Sequence, residues 1–215
     1  MPLRKAEAVW LVLVLLSVAL AAAVYDSLPS QLATHWNARG EADGHMPRFW
    51  GLALFPLISL GLVVLFWAIP RVDPWRRNFS EFLRYYDVLV VLLLVFLLAV
   101  QVFVITWNLG WRFHPAAVIA VGVGCLVYYT GVVCAHARPN WFVGVRTPWT
   151  LVSESVWYKT HKRAAPLLKA AGIVAMAGAV FPNAAVWLVL FPVFAVAVYT
   201  VAYSYWEYRR ETEGS

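Results

Sequence analysis

The sequence has little charge and almost no cysteine. Only 13% of its 215 residues are charged, whereas a typical soluble domain carries about 25%. Hydrophobic residues make up 62% of the chain, which is more than a water-soluble globule of this size could bury. This composition excludes a soluble domain, a disordered chain and a disulfide-rich miniprotein. It predicts one integral membrane domain over residues 1–215.

The two cysteines, Cys125 and Cys134, lie in one apolar segment, nine positions apart. On a straight helix they would face opposite sides, about 13 Å apart along the axis, which is too far for a disulfide bond. We therefore expect both to be free packing residues that carry no information about the redox compartment.

Six apolar stretches are long enough to cross a bilayer as helices, which takes about 20 residues. They are continuously apolar rather than alternating with period two, so they favour helices over barrel strands. The predicted spans are 8–25, 49–69, 85–107, 115–137, 164–181 and 185–205. The first also resembles a cleavable signal peptide, whose removal would leave five spans, but its length favours retention. The predicted fold is therefore an all-α integral membrane protein with six spans.

The positive charge is distributed unevenly between the connections. Thirteen lysines and arginines lie in the two terminal segments and the second and fourth connections, against three in the first and third. Such a bias predicts that both termini are cytoplasmic. It also accounts for the net charge of +6, and no basic run is interleaved with aromatic residues on a polar background. We therefore expect no direct binding of nucleic acid.

The outer loop, residues 26–48, is predicted to be an extracellular loop in which turn-forming residues alternate with polar side chains. Asparagine, glycine and Asp-Gly pairs favour tight turns. We predict a compact turn that contacts a ligand through His35, Trp36, Asn37, Gly40, Asp43 and His45. His35, Asp43 and His45 are also candidate zinc ligands, although no helical histidine pair or cysteine sets a geometry. The alternative is that His35 forms a hydrogen bond within its own turn.

The inner loop, residues 138–163, is predicted to be cytoplasmic and is rich in arginine and tryptophan. Thr147-Pro148 is a favourable helix start, and Trp149, Val152 and Val156 are spaced to share one helical face. We expect a short amphipathic helix over 148–163 on the inner leaflet. The alternative is simple anchoring at the membrane border. The predicted ligand- or partner-binding residues are Arg138, Asn140, Trp141, Gly144, Arg146, Thr147, Trp149, Trp157 and His161.

Two kinds of residue inside the spans predict helix contacts. Gln101 is expected to form a hydrogen bond between helices. Small residues at four-residue spacing favour close packing, namely Ala116, Ala120 and Gly124, and Ala171, Ala175 and Ala179. No catalytic or cofactor-binding motif is present, so we expect no enzyme activity and no cofactor. Two alternatives remain, a metal-dependent membrane enzyme that uses the outer histidines or His136 and His161, and a transporter of small solutes or lipids.

Both loops resemble one family. The outer segment LP…THWNARGEADGH is similar to the domain of unknown function at the front of SdpI-type membrane proteins, and RPNWFVGVRTPWTL…VWYKTH resembles the signature of that family. The resemblance implies a multi-pass protein of the prokaryotic plasma membrane that protects against a secreted antimicrobial peptide toxin. It also implies signal transduction, in which a cytoplasmic repressor is held at the membrane when the toxin is bound. It implies no catalytic residues.

Overall fold

The structure, a computed structural model, describes residues 4–37 and 39–213. These residues form seven α-helices and one β-hairpin. The helices are α1 (Lys5–Val24), α2 (Arg48–Val72), α3 (Arg76–Asn108), α4 (Pro115–His136), α5 (Pro148–Val152), α6 (Glu154–Met176) and α7 (Ala185–Glu213). The antiparallel strands of the hairpin are β1 (Gln31–Trp36) and β2 (Ala42–Pro47). The outer loop is thus a hairpin rather than only a turn.

Five of the described helices, α1, α2, α3, α4 and α7, are long and apolar enough to cross a membrane. This finding supports the predicted class, an all-α membrane protein. The predicted fifth span, 164–181, is not among the five, because it belongs to α6, which carries Lys159, Lys162, Arg163 and Lys169. Its apolar part, 164–176, is only about 20 Å long, against about 30 Å for the hydrocarbon core. The count of six spans is therefore not confirmed.

The predicted surface helix over 148–163 is wrong. Only Pro148–Val152 forms a separate turn of helix, and α6 begins at Glu154 and continues without a break to Met176. Ser153 is extended between them and caps α6, because its Oγ accepts a hydrogen bond from the Val156 N–H. This break changes the helical phase, so Val152 is 70% exposed while Val156 is fully buried. The three apolar residues therefore do not share a face.

The predicted close packing of small residues is confirmed at Ala120 and Gly124 of α4, whose partners are Gly178 and Gly172 and lie beside, not within, the predicted row Ala171, Ala175 and Ala179. A methyl group on Gly124 would lie 2.7 Å from the carbonyl oxygen of Gly172, and one on Gly131 would lie 2.7 Å from that of Ala165. The backbones approach this closely because neither side carries a bulky side chain. The contacts follow the two helices in opposite order: Gly131 with Ala165, Gly124 with Gly172, and Ala120 with Gly178. Helix α6 therefore runs antiparallel to α4 along its length.

Helices α1 and α3 are joined by polar contacts inside an apolar core. The Gln101 amide accepts from the Ser17 hydroxyl at 2.6 Å and donates to the Ser17 carbonyl at 3.0 Å, which confirms the predicted hydrogen bond between helices. Nearer the N-termini of α1 and α3, the core buries large side chains of both helices, including Trp10, Phe79, Phe82, Tyr86 and Leu94. Cys125 and Cys134 are both free, as predicted.

The two ends of the bundle carry different structures. The hairpin lies at one end, against the C-terminus of α3 and the N-termini of α2, α4 and α7, and we call this the hairpin end. The inner loop lies at the other end, which we call the inner-loop end. An ion-pair network joins three helices there: Arg4 contacts Glu7 and Asp87, and Arg71 also contacts Glu7. The two loops therefore lie at opposite ends of the bundle.

Replacing Gly172 by alanine should destabilise the protein. The added methyl group would lie 2.5 Å from the Tyr128 backbone nitrogen, and such overpacking typically costs about 1–3 kcal/mol. Gly61→Ala on α2 is the matched control, because a methyl group there meets open space. The control should be neutral or stabilising by up to about 1 kcal/mol, since alanine favours helix. The measurement is the Tm in detergent, and a Gly172→Ala Tm at or above that of the control contradicts the packing argument.

Candidate functional site

The hairpin is attached to the bundle by Asn108, whose side chain forms with β1 the two hydrogen bonds that a neighbouring strand would form. The Asn108 side chain at the end of α3 accepts from the Ala33 N–H at 2.9 Å and donates to the Ala33 carbonyl at 3.0 Å. Beside it, the ring of Trp36 packs against those of Phe103 and Trp107, with centroids 4.8 and 5.4 Å apart. Trp36 is thus a half-buried part of the junction between the hairpin and α3.

The tip of the hairpin is organised by Asn37. Its side-chain oxygen accepts from the backbone N–H groups of Arg39 and Glu41, and its amide donates to the Glu41 carboxylate. That hydrogen bond, together with Arg39, holds the pKa of Glu41 below its usual value. Gly40 has a φ of +78°, and a methyl group there would lie 2.9 Å from the His114 Nε2. Glycine is required by both the turn and the contact with the start of α4.

The exposed face of the hairpin carries the remaining predicted residues. His35 Nδ1 lies 2.6 Å from the Asp43 carboxylate, and both side chains are open to solvent, at 73% and 44% exposure. His45 is exposed on β2, where it pairs with Ala33 rather than with His35. Over the described residues, no three metal-ligating side chains come together. The structure therefore assembles a histidine–aspartate pair and does not add His45 to it as a metal ligand.

A crevice of about 360 Å³ lies beneath the hairpin tip. Trp36 and Asn37 form one side of it, and the first turns of α4 and α7 form the others. Its lining is almost entirely apolar, and includes Ile119, Val186 and Leu190. Crevices of this size and character accommodate apolar groups of a ligand.

Asn140 is the centre of the turn that begins the inner loop. It is completely buried, and its amide donates to the carbonyls of Arg138 and Val143 at 2.8 and 2.9 Å. Its side-chain oxygen accepts from the N–H groups of Phe142 and Val143. All four hydrogen-bonding positions of the side chain are thus used to hold the loop backbone.

The same turn is fastened to the start of α3. The buried Asp73 carboxylate accepts from the Trp141 N–H at 3.0 Å and from the Trp75 N–H at 2.6 Å. Asn78 donates to the carbonyl of Pro139 at 2.9 Å. The Trp141 side chain itself is 46% exposed and contacts the Trp75 ring.

His161 connects the inner loop to α6. Its Nδ1 donates to the Trp157 carbonyl at 2.8 Å and its Nε2 accepts from the Val145 N–H at 3.0 Å. Gly144, with a φ of +115°, allows this approach. A methyl group at that position would overlap the His161 Nε2. Burial lowers the pKa of His161 to about 4, so the ring is neutral at pH 7.

The other inner-loop residues join the loop to both neighbouring helices. Trp157 is completely buried, stacks on His161 and donates from Nε1 to the Ala137 carbonyl at 3.0 Å. Arg138 is exposed and pairs with the Glu81 carboxylate at 2.7 Å. It also donates to the Tyr158 hydroxyl at 2.8 Å. These contacts link α3, α4 and α6.

Thr147 and Trp149 link the inner loop to α7. The Thr147 hydroxyl caps α5, accepting from the Thr150 N–H, and also donates to the Ser204 hydroxyl at 3.0 Å. The Trp149 ring packs on Tyr205 with centroids 5.0 Å apart. Arg146 has an exposed side chain that donates to the Trp141 carbonyl at 2.8 Å.

The predicted residues of each loop do come together, but most of those in the inner loop are occupied in holding it. Sequence reasoning missed the residues outside the loops that form hydrogen bonds with them, namely Asn108, Asp73, Asn78 and Ser204. Asp73, directly before Pro74, carries a turn signal that could have identified it. Asn108 and Ser204 carry none, since each lies within or at the end of a predicted apolar helix.

The comparisons with known family models match the two loops separately. Residues 136–204 match the SdpI/YfhL protein family, and residues 12–60 match a domain of unknown function, DUF1648. Immunity protein SdpI of Bacillus subtilis (strain 168) is 21% identical over 211 residues, which is 98% of this chain and 99% of that protein. No solved structure gives a significant match. The family that the loop motifs predict is supported by these matches.

The neutral His161 should make stability depend on pH. Its pKa is about 4 in the folded protein and 6.5 when unfolded, so only the unfolded state gains a proton between these values. Stability should fall as the pH drops from 6.5 toward 4, by ~2 kcal/mol at pH 5.

The measurement is the Tm of purified protein between pH 7 and pH 5. His161→Gln should be less stable at pH 7 but should lose less Tm on acidification than the wild type. His45→Gln, at an exposed position on the hairpin, is the control and should follow the wild type. Equal losses in all three proteins would contradict the role of His161.

Proposed function

We propose that this SdpI-type membrane protein is an immunity protein that protects its cell from a secreted antimicrobial peptide toxin. The observation that carries the proposal is the similarity to Immunity protein SdpI, which extends over nearly the whole of both chains. It therefore includes the hairpin and the inner loop as well as the apolar helices between them. The protein acts by binding, without a catalytic residue, a cofactor or a metal.

The proposed topology is six crossings of the prokaryotic plasma membrane, with both termini in the cytoplasm. Five helices meet the requirements of a span, and the antiparallel packing of α6 along α4 supports a sixth crossing by α6. Its short apolar part is extended by the turn at 177–179 and packs against α4 and α7, while Ile173 on its other side is exposed. The excess of lysine and arginine at the inner-loop end supports its cytoplasmic location.

The hairpin is the proposed binding site for the toxin. The His35–Asp43 pair is exposed on the hairpin, so its polar groups are available to a peptide. The crevice beside Trp36 and Asn37 offers an apolar surface to the same ligand. A peptide that must enter the membrane carries both kinds of group, and the hairpin would meet it at the outer face.

The inner loop is the proposed contact for a cytoplasmic repressor, and it also makes the bundle rigid. Trp141 and Arg146 are exposed at its surface, while Asn140, Trp157 and His161 fix the backbone beneath them. The loop is bonded to α3 through Asp73 and to α7 through Ser204. A shift of these helices on binding of toxin would therefore move the exposed residues.

The test expresses the chain in a sensitive bacterium and measures survival against secreted peptides fractionated from cultures of its source. The wild-type chain should raise the tolerated peptide concentration above that of cells with the empty vector. His35→Ala on the hairpin and Trp149→Ala in the inner loop should each lower it about tenfold or more, the loss of one hot-spot contact. Gln31→Ala, at an exposed position of the same hairpin, is the control.

Protein levels in the membrane are measured for every variant, so that loss of folding is separated from loss of function. No protection by the wild-type chain against any fraction contradicts the proposed function. Unchanged protection in both His35→Ala and Trp149→Ala contradicts the assignment of the two loops.

The topology predicts which loop a membrane-impermeant maleimide reaches in intact cells. With Cys125 and Cys134 replaced by serine, Glu41→Cys on the hairpin should react from outside. Val152→Cys, at the 70% exposed last residue of α5, should react only after the cells are opened. Reaction of both cysteines in intact cells would disprove the proposed orientation.

A further inference from the structure

A second crevice lies at the inner-loop end, between α6 and α7. It has a volume of about 320 Å³ and is bounded at one end by residues 144–147. Its walls are apolar, formed by Leu168 on α6 and by Val193, Val196 and Ala197 on α7. Ala197 and Val201 are exposed, so the crevice opens on the surface that the bundle presents to the bilayer.

Arg146 lies at the end of this crevice with most of its charge-bearing donors unused. A guanidinium has five N–H donors, and among the residues that the structure describes, Arg146 engages only Nη1, with the Trp141 carbonyl. Within 4–37 and 39–213 no carboxylate forms an ion pair with it. By contrast, Arg4, Arg71 and Arg138 at the same end are each paired with an acid.

The position of the crevice matches the boundary between lipid headgroups and acyl chains. Trp149 packs on Tyr205 beside it, and tryptophan and tyrosine are typical of that boundary. Below this level the walls are apolar, and above it the loop is polar and basic. Basic pockets between membrane helices on the cytoplasmic side are suited to anionic lipid headgroups.

We propose that this crevice binds an anionic phospholipid, with its phosphate on Arg146 and an acyl chain against Leu168 and Ala197. The planar guanidinium suits a phosphate because it can donate two parallel hydrogen bonds. A lipid is favoured over an acidic protein segment because the apolar part of the crevice lies on the membrane side of Arg146. The lipid would fill the space between α6 and α7 and fix Arg146, Thr147 and Trp149 relative to the bilayer.

The experiment measures lipid retention by native mass spectrometry on purified, delipidated protein. Dioleoyl-phosphatidylglycerol and dioleoyl-phosphatidylcholine are titrated separately in detergent. The wild type should retain phosphatidylglycerol about fivefold better, the value of one arginine contact of about 1 kcal/mol. Arg146→Gln should abolish this preference, whereas Arg77→Gln, which removes an exposed charge at the same end, should keep it.

A second pair of variants tests the acyl-chain part of the site. Ala197→Phe should fill the crevice and lower retention of both lipids, and Ala195→Phe, on the opposite face of α7, should not. Equal retention of the two lipids by the wild type overturns the proposal. An Arg146→Gln variant that keeps the preference for phosphatidylglycerol also overturns the proposal. An acidic protein partner would then be the explanation for the unused donors of Arg146.

Inorganic phosphate added in excess distinguishes the lipid from a free anion. If phosphate alone removes the preference and Ala197→Phe has no effect, the site is an anion site and the lipid assignment is wrong. The Tm of each variant verifies folding. No toxin is involved, so the result is independent of the proposed immunity function.

Discussion

The architecture depends on the close approach of α4 and α6. Where Gly124 meets Gly172 and Gly131 meets Ala165, the two backbones are in contact, and a methyl group on any of the three glycines would overlap the facing backbone. This contact sets the rotation and height of α6. It thereby places His161 under Gly144 and Trp157 under Ala137, so the inner loop takes its shape from helices that pack some distance away. In lipid, where apolar burial gives no driving force, such packing is a main source of helix association.

The two loops are stabilised by different means. The hairpin satisfies most of its own backbone hydrogen bonds and is attached to the bundle at a few places, chiefly Asn108 and the Trp36 ring. The inner loop forms no sheet, so it must satisfy its backbone with side chains, and Asn140, Asp73 and His161 provide these partners. A dense motif of polar and aromatic residues is therefore needed there for structure alone. His35 and Asp43 differ from these residues because they are exposed and contact each other, and Arg146 because its exposed guanidinium donates to one loop carbonyl, that of Trp141.

Polar contacts within the membrane region are few and are arranged to bind helices rather than to form a pathway. Ser17 and Gln101 form two hydrogen bonds with each other, and Glu7 forms ion pairs with Arg4 and Arg71 near the inner-loop end. The Ser17–Gln101 pair joins α1 to α3 and the Glu7–Arg71 pair joins α1 to α2, so these contacts fix the register of α1 against its neighbours.

The sequence by itself determined the membrane class, five of the spans, the interhelical bond of Gln101, the small-residue packing of α4, and the family. These follow from composition, run length and local motifs, which depend only on neighbouring residues and on the bilayer as solvent. Only the tertiary structure decided that α6 continues through 154–163 instead of breaking into a surface helix. The reason is that the ion pair between Lys159 and Glu207 and the burial of Val156 both require neighbouring helices that are distant in the sequence. Likewise, partners far apart in the chain, such as Ala33 with Asn108 and Thr147 with Ser204, have no signature in local sequence. Their pairing is set by helix packing.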